Sequence, residues 1–393
     1  MFRNMPLILL VLILSIVTLG NWIPSSLQSV LYALSLSIKS CIVFALPLVV
    51  FGLLFKTTVN FAEKASKLVF LILVFICCSN FISTLFSYSV GTFAYQFNLS
   101  ISFPDEKVSL LPAWNFSLPK IIGNDYAMFS GLILGAILGK LKPAFANEIA
   151  LGLEKIIKVI LKAILAVIPL FIAGFVVKMN HDQIMSYILR NYSLIFILIA
   201  SAVFTYIALL YFVFSSLNIQ KAFLSLKNML PAAIAGFGSM SSAAAMPLTI
   251  IGAEKNAESP DLARSIIPMT VNVHLIGDCF AIPIFAFAVL NSFGVAEPSF
   301  LNYLIFAGYF VLAKFSVAAV PGGGILVMLP ILEQYLGFQA EMLSLITALY
   351  ILFDPVITSA NILGNGGFAL GTERILGLLS SAKIKKKTSQ ANT

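Results

Sequence analysis

Long apolar runs separated by short polar segments dominate the sequence from Pro6 onward. A helix needs roughly 20 apolar residues to cross about 30 Å of hydrocarbon. The pattern predicts eight spans, at residues 6–21, 38–56, 68–95, 126–140, 156–178, 191–214, 266–291 and 344–371. Two further apolar stretches, 228–252 and 303–340, are interrupted by polar and small residues, and we expect each to be a re-entrant hairpin.

Composition decides which solvent these helices meet. Apolar residues make up 60% of the 393 residues and charged residues 10%, whereas a soluble domain carries roughly 25% charged residues. Hydrocarbon does not tolerate open sheet edges, and the runs are too long and too uniformly apolar for barrel strands. The predicted fold class is an all-α polytopic membrane protein with eight transmembrane helices and two re-entrant helical hairpins in a lipid bilayer.

The charged residues lie mainly between the apolar runs and predict the topology. A net charge of +8 would suit nucleic acid, but the charges are not gathered on one soluble face, so no nucleic-acid partner is expected. With a cytoplasmic N-terminus, most of the 24 Lys and Arg residues fall in cytoplasmic segments. We therefore expect a multi-pass protein of the cell (inner) membrane with both termini cytoplasmic. Residues 7–19 could also be a signal peptide, but the missing small-residue cleavage site favours a retained span.

Two apolar stretches in the C-terminal half are broken by Gly, Pro and Ser, at residues 236–247 and 320–324. The first break leaves two halves that are each too short to cross the bilayer. A bend exposes backbone groups that hydrocarbon penalises, and a ligand or ion can supply their partners. Small-residue packing faces between helices are the alternative. Two breaks at matching places favour a binding site in the middle of the membrane.

Asp278 and Asp354 are the carboxylates deepest in apolar sequence. A charge at that depth costs about 2.5–3.5 kcal/mol on insertion scales, so both are functional candidates. A structural hydrogen bond to a neighbouring helix is the alternative. His274 precedes Asp278 by four residues, which predicts one shared helical face on which the pair could share a proton. A neutral buried imidazole bonded to backbone is the alternative for His274.

A polar stripe marks the last predicted span. Asp354, Thr358 and Asn361 are spaced at i, i+4 and i+7 on an otherwise apolar helix. The carboxylate can accept an ammonium, while the hydroxyl and the amide can bind the other end of a small zwitterion. Pro355 removes a backbone donor and frees a carbonyl. The stripe therefore predicts a substrate site, and with the breaks it indicates a secondary transporter.

At these residues the chain resembles the dicarboxylate/amino acid:cation symporter family, the glutamate transporter family. The serine-rich tip of that family's first hairpin resembles residues 241–247, and its Pro-Gly-rich second tip resembles residues 320–324. The aspartate, threonine and asparagine of its eighth span match the polar stripe in type and spacing. The resemblance implies substrate binding by Ser241, Ser242, Gly322, Gly323, Asp354, Thr358 and Asn361.

The resemblance also implies an architecture and a mechanism. Residues 1–225 would be mostly scaffold, with spans 3 and 6 able to pack against the moving part, residues 226–375 the transport core, and residues 376–393 a basic cytoplasmic tail. The protein would be a homotrimer that moves a small-molecule substrate by alternating access. It would be a symporter and not an enzyme, with no cofactor beyond a coupling Na⁺ or H⁺.

The sequence departs from the family at the positions that would bind the side chain of the substrate. Family members that carry acidic substrates place an arginine at the position of Ile357 or of Met240. Neither arginine is present, so a second carboxylate would lack its bidentate partner. This departure favours a neutral amino acid over glutamate, aspartate or a dicarboxylate.

A second departure concerns the coupling ion. The seventh-span position of the family's sodium-binding aspartate falls on Ile276, and an eighth-span acidic ligand is replaced by Asn365. A different frame for the seventh-span motif stays open. Either a proton or Na⁺ could be coupled. We therefore expect cation binding or proton coupling at His274, Asp278 and Asn365, with Na⁺ possible at Asp278, Asn361 and Asn365.

Two other classes compete with a transporter. Paired intramembrane aspartates also occur in aspartyl proteases, where Asp278 and Asp354 would share a proton and activate water. The Gly-X-Gly-Asp motif of those enzymes lacks its first glycine here, at Leu275. A passive channel would need rings of charge or continuous polar faces, and the sequence shows neither.

Overall fold

The structure is a computed structural model that describes residues 5–63, 67–96, 110–119, 121–182, 185–317 and 322–391. The described part is helical and contains no strand. Its helices are α1 (Met5–Leu19), α2 (Ser25–Glu63), α3 (Lys67–Gln96), α4 (Asn124–Leu141), α5 (Pro143–His181), α6 (Met185–Phe214), α7 (Ile219–Ser239), α8 (Ser242–Asn256), α9 (Pro260–Thr270), α10 (Ile276–Ser292), α11 (Phe300–Lys314), α12 (Gly323–Leu336) and α13 (Ala340–Ala391).

Many of these helices are long and apolar enough to cross a bilayer. Within the described residues, five reach that length and hydropathy, in α2, α3, α5, α6 and α13. Shorter apolar helices are α1, α4, α10, α11 and α12. Large apolar side chains also face outward, as Phe129, Ile133 and Ile137 do on α4. Lipid can cover such a surface and water cannot. The predicted all-α membrane class is confirmed, while the count of eight spans stays a prediction.

Several helices extend beyond the predicted apolar runs. The spans predicted at 68–95 and 191–214 lie within α3 and α6, but α2 and α5 begin more than ten residues before the predicted 38–56 and 156–178. Glu154, in the extension of α5, pairs with α2, because its Oε1 lies 2.7 Å from Lys56 Nζ. Hydropathy therefore located these helices but underestimated their length.

The predicted seventh span is broken. We expected one helix over 266–291, but α9 ends at Thr270, α10 begins at Ile276, and residues 271–275 are not helical. The shared helical face expected for His274 and Asp278 was therefore wrong. Asn80 of α3 stabilises the break. Its Nδ2 donates to Val273 O at 2.7 Å, and its Oδ1 accepts the Leu275 amide at 3.2 Å.

Each predicted hairpin is a pair of short helices. The helices α7 and α8 meet at Met240, which adopts a left-handed backbone with φ of 50°, and Ser241 then caps α8. The helices α11 and α12 form the second pair, and Gly322, with φ of 72°, precedes α12. Val320 and Pro321 of the predicted second tip lie outside the described residues. The re-entrant placement of both pairs stays a prediction.

The helix α10 lies at the centre of the packing. All its residues are buried, and α3, α6 and α13 pack around it. The helix α13 also contacts α7 and α8, whereas α2 packs mainly against α4 and α5. The break before α10, the two helix pairs and the polar stripe of α13 are therefore brought to one region.

Candidate functional site

A small cavity forms where the two helix pairs, the break and α13 meet. Its volume is about 40 Å³. The side chains around it come from the first tip, the break, α10, the second pair and α13: Met240, Ser241, Ser242, Val271, Asn272, Leu275, Asp278, Val317, Gly324, Tyr350, Asp354, Thr358 and Asn361. Five of the seven predicted substrate residues thus share one cavity. Their binding of a substrate stays a prediction.

Asp354 connects the polar stripe to the second helix pair. Its Oδ2 accepts the backbone N–H of Gly322 at 2.9 Å, and its Oδ1 accepts the Thr358 hydroxyl at 3.1 Å. The positive φ of Gly322 lets its amide point at the carboxylate, a conformation that other residues adopt at a cost. Gly323 is buried in the first turn of α12 and does not line the cavity.

Asn361 binds the start of α10. The first amides of a helix have no partner within the helix. The Asn361 Oδ1 accepts the amide of Gly277 at 2.8 Å and that of Asp278 at 3.4 Å, and its Nδ2 donates to Asp278 Oδ1 at 3.3 Å. Both ends of this amide side chain are therefore engaged with α10.

Asp278 lies in the first turn of α10, where the helix dipole favours a negative charge. Its Oδ2 lies 2.9 Å from Lys314 Nζ at the end of α11, and its Oδ1 accepts the Tyr350 hydroxyl at 3.0 Å. Neither Lys314 nor Tyr350 was predicted as a site residue. The lysine carried a usable signal, because it is a basic residue inside an apolar stretch.

His274 belongs to a different cluster from Asp278. Its Nε2 shares a hydrogen bond with Ser79 Oγ at 2.9 Å, and its Nδ1 shares one with Asn365 Oδ1 at 3.0 Å. The Phe368 ring lies 4.3 Å from the imidazole, between centroids. Among the described residues, Asn365 Nδ2 is buried without a hydrogen-bond partner. Polar side chains, and not backbone groups as the alternative proposed, therefore position the imidazole.

The charges around the cavity leave one carboxylate available. Asp278 is paired with Lys314, whereas no ion pair within the described residues involves Asp354. No lysine or arginine is among the described residues that line the cavity. The described residues also contain no group of three or more His, Cys, Asp or Glu side chains that could hold a metal ion. An ammonium group would therefore find at Asp354 a carboxyl group without a basic partner among the described residues.

Paired short helices that meet around buried carboxylates, inside a bundle of apolar helices, define a membrane transporter of the broken-helix kind. Residues 126–375 match the sodium:dicarboxylate symporter family, and the chain belongs to that family. This confirms the family predicted from the tips and the stripe. It also confirms that the protein belongs with transporters and not with enzymes, which overturns the aspartyl protease alternative.

One curated relative is the excitatory amino acid transporter of Onchocerca volvulus. It is 28% identical over 158 residues, which cover 40% of this chain and 31% of that protein. The matched segment thus spans about a third of the relative's length.

Proposed function

We propose that this protein is a secondary active symporter that couples inward movement of Na⁺ or H⁺ to uptake of a small amino acid. The observation that carries the proposal is Asp354, a buried carboxylate without a basic partner among the described residues, at a cavity lined by both helix pairs. An amino acid brings the ammonium group that this carboxylate lacks. Family membership supports coupling to a cation.

We propose a neutral amino acid in preference to glutamate, aspartate or a dicarboxylate. Of the two positions where an arginine would serve an acidic side chain, Met240 lines the cavity, whereas Ile357 is buried and is not among the described lining residues. Because the described lining residues include no basic side chain, a second carboxylate on the substrate would enter without a partner. Burying an unpaired charge is strongly unfavourable.

Alternating access is supported by the size of the cavity. About 40 Å³ holds only a few water molecules, whereas small-molecule sites are about 300 Å³ or more. A helix pair must therefore move before a substrate can bind. The second pair is the candidate, since among the described residues its tip is joined to Asp354 by a backbone hydrogen bond from Gly322.

The finer architecture is also a proposal. We propose that residues 226–375 form the moving transport core, most of residues 1–225 the scaffold and residues 376–393 a tail. The packing of α3 and α6 against α10 supports their moving together with the core. We propose a homotrimer in the cell (inner) membrane with both termini cytoplasmic, as the family resemblance and the distribution of basic residues suggest.

Uptake into proteoliposomes tests the proposal. The reconstituted full chain is offered labelled neutral amino acids, acidic amino acids and dicarboxylates, under an imposed Na⁺ gradient and separately under an H⁺ gradient. We expect one gradient to drive accumulation of a neutral amino acid, and the responding gradient identifies the ion. Protein-free liposomes are the control. Uptake that ignores both gradients refutes coupled symport, and a preference for acidic substrates refutes the substrate class.

A further inference from the structure

One lysine is completely buried inside the helix bundle. The Lys314 side chain is 0% exposed, and its Nζ lies 2.9 Å from Oδ2 of Asp278, which is 1% exposed. The same ammonium lies 4.4 Å from the centroid of the Phe310 ring, within the range of a cation–π contact. Buried charges persist only where partners compensate them, so this pair is a built feature and not an incidental surface contact.

Lys314 belongs to the kind of helix end that binds inorganic cations in broken-helix transporters. In such transporters, the C-terminal ends of half-helices coordinate the coupling cation, because their free carbonyls carry partial negative charge. Lys314 is the last residue of α11, at the break before α12. The helix end therefore provides its own cation. The carboxylate it meets, Asp278, also lines the cavity that contains Asp354.

The surroundings of Asp278 leave the ammonium as its counter-ion. The Oδ1 atom already accepts hydrogen bonds from Tyr350 and Asn361. On the other side, a Cβ atom placed on Gly324 would lie 2.6 Å from Oδ2, so the backbone of α12 packs closely over that oxygen. An inorganic ion at Oδ2 would therefore compete with Lys314 for the same oxygen.

We propose that the Lys314 ammonium is a tethered cation that takes the place of an inorganic coupling cation at Asp278. The inference rests on the proposed function, because a coupling site has meaning only in a symporter. It removes Asp278 from the three Na⁺ positions expected from the sequence. It also makes the charge of this pair independent of the Na⁺ gradient.

Thermal unfolding of the purified full chain in detergent tests the inference without uptake. Lys314→Met removes the ammonium and keeps much of the side-chain volume, and the Asp278→Asn/Lys314→Met double variant removes both charges. NaCl is exchanged for choline chloride at constant ionic strength. We expect Na⁺ to raise the Tm of Lys314→Met by about 2 °C or more, because Na⁺ binds the carboxylate that lost its partner. The double variant should respond to Na⁺ as the wild type does.

Two results would overturn the inference. If Na⁺ stabilises Lys314→Met no more than the wild type, Lys314 is only a structural partner of Asp278. If the double variant loses a Na⁺ response that the wild type has, Asp278 binds Na⁺ beside Lys314. The second comparison holds even if the single variant fails to fold, since the double variant contains no unpaired charge at this position. Missing uptake in proteoliposomes would refute the symporter. The Tm comparison would still decide separately whether Lys314 occupies a cation position at Asp278.

Discussion

Replacing Asp354 with asparagine removes the cavity carboxylate that has no basic partner while nearly preserving its shape. In the wild type, Asp354 Oδ2 accepts from Gly322 N–H and Oδ1 accepts from the Thr358 hydroxyl. An asparagine presents an NH₂ group in place of one of these acceptors. The substitution should therefore remove the partner of the substrate ammonium and also disturb the second tip.

The expected loss of substrate affinity can be estimated by treating Asp354 and the substrate ammonium as a buried ion pair. Truncating one partner of a buried, hydrogen-bonded charge pair costs about 2–5 kcal/mol of binding free energy. At about 1.4 kcal/mol per tenfold, substrate affinity should fall about 30-fold to about 4,000-fold. Asp354→Ala should abolish uptake, since it removes both the charge and the contact with Gly322.

The assay is the substrate-concentration dependence of uptake in proteoliposomes that contain equal amounts of protein. Ser344→Ala on the same helix is the matched control, because the Ser344 hydroxyl is buried without a hydrogen-bond partner among the described residues. Its uptake should equal that of the wild type. An Asp354→Asn variant whose affinity stays within about threefold of wild type would remove Asp354 from the binding role.

Three further predictions test the surroundings of the site. Gly277→Ala should lower the Tm, because the new Cβ would meet the Ile357 carbonyl and lie 2.9 Å from Asn361 Oδ1. Such overpacking costs about 1–3 kcal/mol. The control Gly308→Ala, whose Cβ would have nothing within 4 Å, should leave the Tm equal or higher. Asn80→Ala should lower the Tm and the uptake rate, because it leaves backbone groups of the break unpaired at about 1–3 kcal/mol each, whereas substituting the exposed Cys78 with alanine should change neither. Met240→Arg should raise uptake of acidic relative to neutral amino acids by about tenfold or more, the effect of one charge-assisted hydrogen bond, in a two-substrate competition assay. Equal Tm for both glycine variants, an unaffected Asn80→Ala protein, or an unchanged substrate preference would each contradict the corresponding contact.

Local patterns predicted the parts of the site that lie within one helix. The stripe of Asp354, Thr358 and Asn361 was visible because helical spacing alone determines that face. The two tips were visible because Gly, Pro and Ser are concentrated there within apolar runs, although a single proline such as Pro283 or Pro355 lies inside a continuous helix. The structure brings these separate signals to one cavity.

Contacts between distant segments could not be predicted from the sequence. Helical spacing suggested that His274 and Asp278 share a face, but Asn80 of α3 holds residues 271–275 out of a helix. The Asp278–Lys314 pair depends on how α11 folds back onto α10, which no local period reveals. Only the depth of the lysine in apolar sequence could have identified it.

The second helix pair binds both buried carboxylates, and this determines how it can open in a symporter of the proposed kind. The tip before α12 donates the Gly322 N–H to Asp354, while the end of α11 places Lys314 against Asp278. Breaking the hydrogen bond from the Gly322 amide to Asp354 costs about 1.5–3 kcal/mol, and an arriving ammonium can take the place of that amide. Separating the buried Asp278–Lys314 ion pair costs about 3–5 kcal/mol, and the substrate offers no new partner for it. The pair should therefore open at the start of α12 and pivot near the end of α11. A cross-link from α12 to α13 should then block uptake, and one from the end of α11 to α10 should not; the reverse outcome would refute this pivot.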